Sequence, residues 1–234
     1  MSFKNCRIIV KCGTPVVLAE FAPHFDAIIY EALSQMTSLD RDEILYRMKT
    51  IIKWNQYLGV FHASSARFGI TTEKGLSVSN YTRVDTTHLG LFSSKNFRPT
   101  SLRKNAYKSV VVAGGPYKRR VTTRNSYVSP YMVFDCCCDP IVIRKLLKNA
   151  FVGVGYDSFR AGIGEIQEVI VQETEFDESI FSKGKVRRNV PAAKVKCYEG
   201  RRTESPLAPP YYLGEKIECK SPERITKHLL VDMK

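Results

Sequence analysis

One local pattern, a strand followed at once by an amphipathic helix, occurs twice in this chain and limits the folds that it can adopt. In the first copy, residues 5–12 alternate between apolar and polar side chains, and residues 24–36 carry an apolar stripe at helical spacing. In the second copy, the apolar run 130–138 is followed by Asp139, a capping residue, and by the amphipathic stretch 140–150. Two such units predict an α+β fold.

A further strand completes the second unit. Residues 164–171 predict this strand, so the order along the second unit is strand, helix, glycine loop and strand, which is half of a ferredoxin-like (RRM-like) fold. Residues 5–36 match the start of the other half. We therefore expect a ferredoxin-like core over residues 1–182, with a basic hairpin or thumb inserted at about 93–128. A basic, proline-bearing C-terminal extension, residues 183–234, is expected to pack on this core.

Local signals place several other elements. Pro23 suits the first position of the first helix, because proline lacks the N–H that would be unpaired there. A second helix is predicted from Asp42 to about Trp54, after the capping residues Ser38 and Asp40. Residues 56–92 predict short strands joined by turns, and the stretch 201–214 is expected to run extended over the surface.

The net charge of the chain points to an anionic partner. The formal charge is +13 over 234 residues, which suits binding to nucleic acid or to an acidic membrane surface. No stretch reaches the roughly 20 apolar residues that a membrane span needs, and charge interrupts the short apolar run near the N-terminus. We therefore expect a protein without a membrane segment or a signal peptide.

Cysteine usage favours a reducing compartment. The seven cysteines include no CxxC pair, so no zinc site and no other metal or cofactor is expected. Cys136, Cys137 and Cys138 are consecutive and fall in a predicted buried strand, where free thiols behave as small apolar side chains. The expected location is the cytoplasm.

Basic residues are concentrated in the middle of the chain. Between Thr86 and Phe134 there is no carboxylate, and tyrosines such as Tyr117 are interleaved with the basic residues. Such a stretch can bind phosphates and stack on bases, although a charge run can equally form a solvated face. The basic residues are Lys95, Arg98, Arg103, Lys104, Lys108, Lys118, Arg119, Arg120 and Arg124.

The glycines of residues 151–171 raise the question of which phosphate they approach. A dinucleotide-binding GxGxxG follows a strand and opens a helix, but here the segment follows a helix and leads into a strand. The chain also lacks a GxxxxGK[ST] motif. Two interpretations are left: the glycines only allow tight turns, or the segment holds a single RNA strand with Tyr156, Phe159 and Arg160.

A helix ending in LLKN and followed by VGVGYDSFRAGIGEI resembles the C-terminal glycine-rich loop of the RAMP proteins of CRISPR systems. The segments HFDAIIYEAL and PLAPPYY make the chain similar, more narrowly, to the Cas5-like subunit of type IV complexes. The resemblance covers residues 3–36, 130–171 and 205–214. Four glycines correspond to the family loop, which usually carries more basic residues than the single Arg160 of this segment. They are Gly153, Gly155, Gly162 and Gly164.

This resemblance implies a non-catalytic RNA-binding subunit of a ribonucleoprotein complex for antiviral defence. Such a subunit caps the 5′ handle of the crRNA and contacts the Cas7-like backbone subunits and the large subunit. The basic middle also permits contact with target DNA near the PAM, with an associated helicase as a further partner. An unrelated RNA-binding protein, for example one associated with the ribosome, fits the charge equally well.

Catalysis is the alternative, because some RAMP relatives, the Cas6-like endoribonucleases, cleave precursor crRNA without metal and with a histidine. Of four histidines, His62 is the best candidate for a general base, because serines and Arg67 lie near it in the sequence. His88 is the second candidate. His24 lies at a helix start, where we expect it to cap the helix or to be exposed.

Overall fold

The computed structural model describes residues 2–18, 22–70, 77–85, 118–129, 131–150, 153–155, 162–223 and 230–232. The chain divides into two compact units. The first comprises Met1–Ser79 and Ser126–Lys234, and the second comprises Asn80–Asn125. The domain boundaries expected from the sequence stay a prediction.

The fold mixes helices with several, mostly antiparallel, sheets, as the α+β prediction requires. The helices are α1 (Phe25–Met36), α2 (Arg41–Ile51) and α3 (Pro140–Ala150). The strands before α3 are β1 (Lys4–Cys12), β2 (Val16–Val17), β3 (Trp54–Asn55), β4 (Val60–Phe61), β5 (Arg67–Ile70), β6 (Ser77–Asp85), β7 (Arg120–Val128) and β8 (Tyr131–Cys138). Those after it are β9 (Ile166–Glu173), β10 (Phe181–Ser182), β11 (Lys185–Val186), β12 (Val190–Pro191), β13 (Arg201–Ser205), β14 (Ile217–Ser221) and β15 (Leu230–Asp232).

The main sheet of the first unit has the strand order β15-β5-β8-β1-β9. Strand β1 is an interior strand that pairs antiparallel with β8 on one side and with β9 on the other, so that Ile8 lies opposite both Phe134 and Val171. Strand β5 pairs antiparallel with β8, whereas β15 pairs parallel with β5. The strands predicted at residues 5–12 and 164–171 are therefore confirmed, each with its bounds shifted by one or two residues.

Helices α1 and α3 cover one face of this sheet. The alternating side chains of β1, among them Ile8 and Val10, point into a core that also contains Phe25 and Leu147. The Phe25 and Phe134 rings lie 5.1 Å apart between their centroids. Burial of each such side chain contributes about 1.5–3 kcal/mol. The cysteine triplet lies in β8 and all three thiols are buried, as predicted.

The helix ends follow from local hydrogen bonds. Asp40 caps α2 as predicted, since its side chain accepts from the backbone of Glu43 and the Glu43 side chain bonds back. Helix α2 ends at Ile51 rather than near Trp54, because the Lys53 N–H donates to the carbonyl of Cys137 in β8.

The predictions for the starts of the two other helices have different outcomes. Asp139 caps α3 as predicted, because its carboxylate accepts from the backbone N–H groups of Ile141 and Val142. Pro23, in contrast, is not the first helical residue. Helix α1 starts at Phe25, and the Pro23 carbonyl accepts a bond from the Ala66 N–H, which holds Pro23 outside the helix.

The C-terminal part of the first unit forms a smaller apolar cluster around Val60, Ile180 and Val190. A three-stranded sheet in the order β12-β14-β13 lies here. The expectation that residues 201–214 run extended over the surface is correct only in part, since Tyr212 and Leu213 are exposed. Strand β13 pairs along its length with β14, and Pro206, Pro209 and Pro210 are buried.

The described part of the second unit consists of residues 80–85 of β6 and 118–125, which include most of β7. These two strands are neighbours in their sheet, and the hydroxyl oxygens of Thr82 and Thr123 lie 3.3 Å apart. Both strands expose apolar side chains, with Val84 at 45% and Val121 at 61% of full exposure.

No helix among the described residues is both long enough and apolar enough to cross a membrane.

Candidate nucleic-acid interface

The glycine segment folds back on itself. Gly153 forms a bridge with Glu165, and the backbone N–H of Val154 donates to the carbonyl of Gly164 across 2.8 Å. The N–H of Gly164 in turn donates to the carbonyl of Pro15 across 2.9 Å. The two glycine pairs that the sequence separates are therefore brought together beside the loop that follows β1.

Two of these glycines are required by the backbone. Gly155 and Gly164 have φ angles of +105° and +65°, and an added Cβ would lie 2.6 Å and 2.0 Å from the carbonyl oxygens of Val17 and Val154. Gly162 also has a positive φ, +63°, but a Cβ there would meet nothing within 4 Å. This geometry accounts for Gly155 and Gly164 through tight turns alone, and it also leaves the surface at Gly162 open. Tyr156, Phe159 and Arg160, which decide between the two interpretations, lie outside the described residues.

The basic middle is described only at its C-terminal end. Lys118, Arg119 and Arg120 are exposed at the start of β7, and Arg124 is half-buried further along the strand. An exposed cluster of this kind fits phosphate contact, because the side chains can reach a polyanion without losing buried partners. The other predicted contact residues, Arg98, Arg103, Lys104, Lys108 and Tyr117, lie outside the described residues.

His62 has a carboxylate partner that the sequence does not reveal. Its Nδ1 lies 2.7 Å from Asp177 Oδ2, and the Ser179 hydroxyl lies 3.3 Å from the same nitrogen. Burial alone would raise the pKa of Asp177, but hydrogen bonds from His62 and Ser179 outweigh it and lower the pKa to about 2. A carboxylate on Nδ1 orients the ring and leaves Nε2 as the nitrogen that can exchange a proton.

The residues that the sequence analysis placed near His62 bond to other groups. Ser64 accepts from the backbone of Asp135, Ser65 donates to the carbonyl of Arg187, and Arg67 pairs with the Asp135 carboxylate. None of these groups is bonded to His62. In the structure the partners of His62 are therefore Asp177 and Ser179, and not the residues close to it in the sequence. The second candidate, His88, lies outside the described residues.

An arginine-rich network around Asp135 of β8 has no signal in the sequence. Asp135 accepts from both Arg7 and Arg67, and Arg7 also reaches Glu178 across 3.3 Å. Burial lowers the pKa of Arg67 to about 10. Glu178 is one of six carboxylates between residues 165 and 178, and its pairing with Arg7 neutralises it within the chain.

Among the described residues, no group of three or more His, Cys, Asp or Glu side chains could hold a metal ion. No protein-family model matches the chain, and no curated protein matches it significantly.

Proposed function

We propose that this protein is a non-catalytic RNA-binding subunit that holds the 5′ handle of the guide RNA in a type IV CRISPR ribonucleoprotein complex. Its core is a ferredoxin-like domain of the RAMP kind. The observation that carries the proposal is the order β5-β8-β1-β9, in which all three pairings are antiparallel. The two central strands, β1 and β8, are each followed by a helix, and both helices pack on one face, as expected of that fold.

The charge distribution supports the RNA partner. Lys118, Arg119 and Arg120 are exposed on the second unit, and the chain as a whole carries a net charge of +13. Each phosphate that these side chains neutralise releases condensed counterions, so that affinity depends steeply on salt. The glycine turn contributes shape, since a segment without side chains at Gly162 lets an RNA backbone approach closely.

Exposed apolar side chains support protein partners. Tyr46, Tyr212 and Leu213 are 75%, 83% and 61% exposed, which suits contact with other subunits of a complex. In the proposed complex these partners are the Cas7-like backbone subunits and the large subunit. Target DNA near the PAM and an associated helicase remain further partners of the same proposal.

Binding of a fluorescent single-stranded guide RNA, measured by anisotropy at several salt concentrations, tests the proposal. The variant K118E/R119E/R120E should bind at least tenfold more weakly, and its slope of log K against log salt should shrink by about 2, since each single-strand contact contributes roughly 0.7. The control K145E/K196E/K216E changes the net charge equally at exposed lysines of the first unit. Equal effects of both variants, or none from the first, would contradict the proposal.

Cas6-like endoribonuclease activity is a second candidate, and the contact between His62 and Asp177 favours it. An oriented imidazole can take the proton of a 2′-hydroxyl without metal. Incubation of the protein with a labelled repeat RNA in chelator tests this directly. Cleavage that His62→Ala abolishes would support the enzyme, whereas binding without cleavage would support the scaffold subunit. Sequencing of copurified RNA separates both from an unrelated RNA-binding protein.

A further inference from the structure

A cavity of about 290 Å³ lies in the first unit, between the start of α1 and the C-terminal sheet. Pro23, His24 and Ala27 line it from the side of α1, and Thr203 and Tyr211 from the other side. This volume is close to the roughly 300 Å³ at which small-molecule sites begin. None of the contacts proposed above involves this cavity.

His24 is held in one tautomer beside this cavity. Its Nε2 accepts a hydrogen bond from the backbone N–H of Asn189 across 3.1 Å, so that the proton of the neutral ring lies on Nδ1. Burial, and then the nearby Arg188, lower the pKa of His24 to about 3, so the ring is neutral at physiological pH. His24 Nδ1 has no hydrogen-bond partner among the described residues, although the side chain is only 8% exposed.

An N–H donor in the wall of a cavity can bond to an acceptor that a ligand places there. The Thr203 hydroxyl, on the opposite wall, is likewise without a hydrogen-bond partner among the described residues. Asn189, another polar residue of the wall, bonds to both Ser205 and Ser221. His24 Nδ1 and the Thr203 hydroxyl are therefore two groups of the cavity wall that can bond to a ligand.

The rest of the wall restricts the kind of ligand. The rings of His24 and Tyr211 are part of the wall and contact each other edge to face, with an interplanar angle of 82°. Glu204 and Glu223 are also part of the wall, which disfavours an anion and favours a ligand that carries an amino group. The expected ligand therefore has a ring acceptor, an exocyclic amine and a flat, uncharged body. An amino-substituted nitrogen heterocycle has all three.

We infer that this cavity binds one amino-bearing nucleobase, with a ring nitrogen or carbonyl oxygen accepting from His24 Nδ1 and with Thr203 bonding at the opposite edge. Adenine and cytosine have the required combination of acceptor and amine. The base can belong to a free nucleoside or to a single strand of nucleic acid. Only the second source rests on the RNA-binding function proposed above.

Titration of the full-length protein with adenosine, cytidine and uridine, followed by NMR of the His24 ring nitrogens and by calorimetry, tests the inference. Adenosine or cytidine should shift the Nδ1 resonance saturably and bind at least tenfold more tightly than uridine. Ala27→Leu fills the cavity from α1 with a good helix former, and Thr203→Val removes the hydroxyl at almost constant volume. Each variant should weaken binding at least tenfold, while the control Ser34→Leu, exposed on the same helix, should not.

The two sources are separated with a short single-stranded oligoadenylate and its abasic counterpart. A His24 shift with free nucleosides identifies a nucleoside site, and a shift with oligoadenylate alone identifies a base held within a strand. Either result supports the inference. It is overturned if no nucleoside or oligonucleotide shifts the His24 resonances, or if Ala27→Leu binds as the wild type does. Because free nucleosides do not need Lys118 to Arg120, failure of the RNA proposal leaves this test intact.

Discussion

Arg188 and Asp26 form an ion pair from which solvent is fully excluded: their side chains are 0% exposed and lie 3.0 Å apart. Arg188 also donates to the Tyr211 hydroxyl and to the carbonyls of Phe61 and Leu207. The Tyr211 hydroxyl in turn donates to the Asp26 carboxylate across 2.9 Å. This network joins the start of α1 to Tyr211 and so explains why the neighbouring Pro209 and Pro210 are buried.

Loss of Arg188 should destabilise the first unit strongly. Arg188→Met removes the charge but keeps most of the volume, so Asp26 is left buried and unpaired, and we expect the free energy of unfolding to fall by about 3–5 kcal/mol. Chemical denaturation measures this. The matched control is Arg202→Met, which breaks an exposed pair with Glu218 and should change stability by less than about 1 kcal/mol. Equal effects of the two substitutions would contradict the role assigned to the network.

Burial of a neutral His24 predicts an acid-sensitive fold. The pKa is 6.5 in an exposed histidine and about 3 here, so between these values the unfolded chain binds a proton that the folded chain does not. The free energy of unfolding should fall by roughly 1.4 kcal/mol for each pH unit below 6.5 from this group alone. Urea denaturation at pH 7, 6, 5 and 4 should show a shallower decline for His24→Gln. Parallel curves for wild type and variant would refute the expectation.

Asp177 responds to acid in a different range. Its pKa of about 2, against an ordinary 3.8, means that the contact with His62 stabilises the fold above pH 3.8 and is lost as the pH falls through 2. Carboxyl NMR should show Asp177 titrating near 2 in the wild type and closer to 3.8 in His62→Ala. An unchanged titration would mean that His62 is not the partner that lowers this pKa.

The glycine turn offers a matched pair of substitutions. Gly164→Ala places a Cβ 2.0 Å from the Val154 carbonyl oxygen and forces the turn apart, whereas Gly162→Ala meets nothing within 4 Å and only adds the strain of a positive φ, about 1 kcal/mol. Thermal unfolding should therefore shift several times more for Gly164→Ala. If the two variants unfold at the same temperature, close approach to the Val154 carbonyl is not the reason why position 164 needs glycine.

Thiol accessibility provides a test of the core. Of the seven cysteines only Cys197 is exposed, and burial raises the pKa of Cys12 to about 11, far from reactivity. A thiol-reactive dye should label one cysteine in the native protein and seven after denaturation, with Cys197→Ser abolishing the native signal. Rapid native labelling in the Cys197→Ser variant would show that the sheet and its helices are not packed as described.

Much of the local structure could be predicted from the sequence, because its causes are local. The alternation in residues 5–12, the Asp139 cap and the apolar stripe of α1 depend on neighbours within a few positions. The need for flexibility at the glycines could be predicted for the same reason. The position of the glycine turn beside Pro15 could not be predicted, since it requires the strands to pair first.

Tertiary structure determined the bonding partners of the titratable side chains, and no local pattern in the sequence indicates them. The partner of His62 lies 115 residues away, and that of Arg188 lies 162 residues away, at Asp26. His24, expected to be exposed or to cap its helix, is instead buried by the returning C-terminal segment. By itself the sequence determined the three helices, the strands that flank them in the main sheet, and that the chain is basic. Only folding brought distant charges together, because sheet pairing and tail docking join segments that share no local pattern.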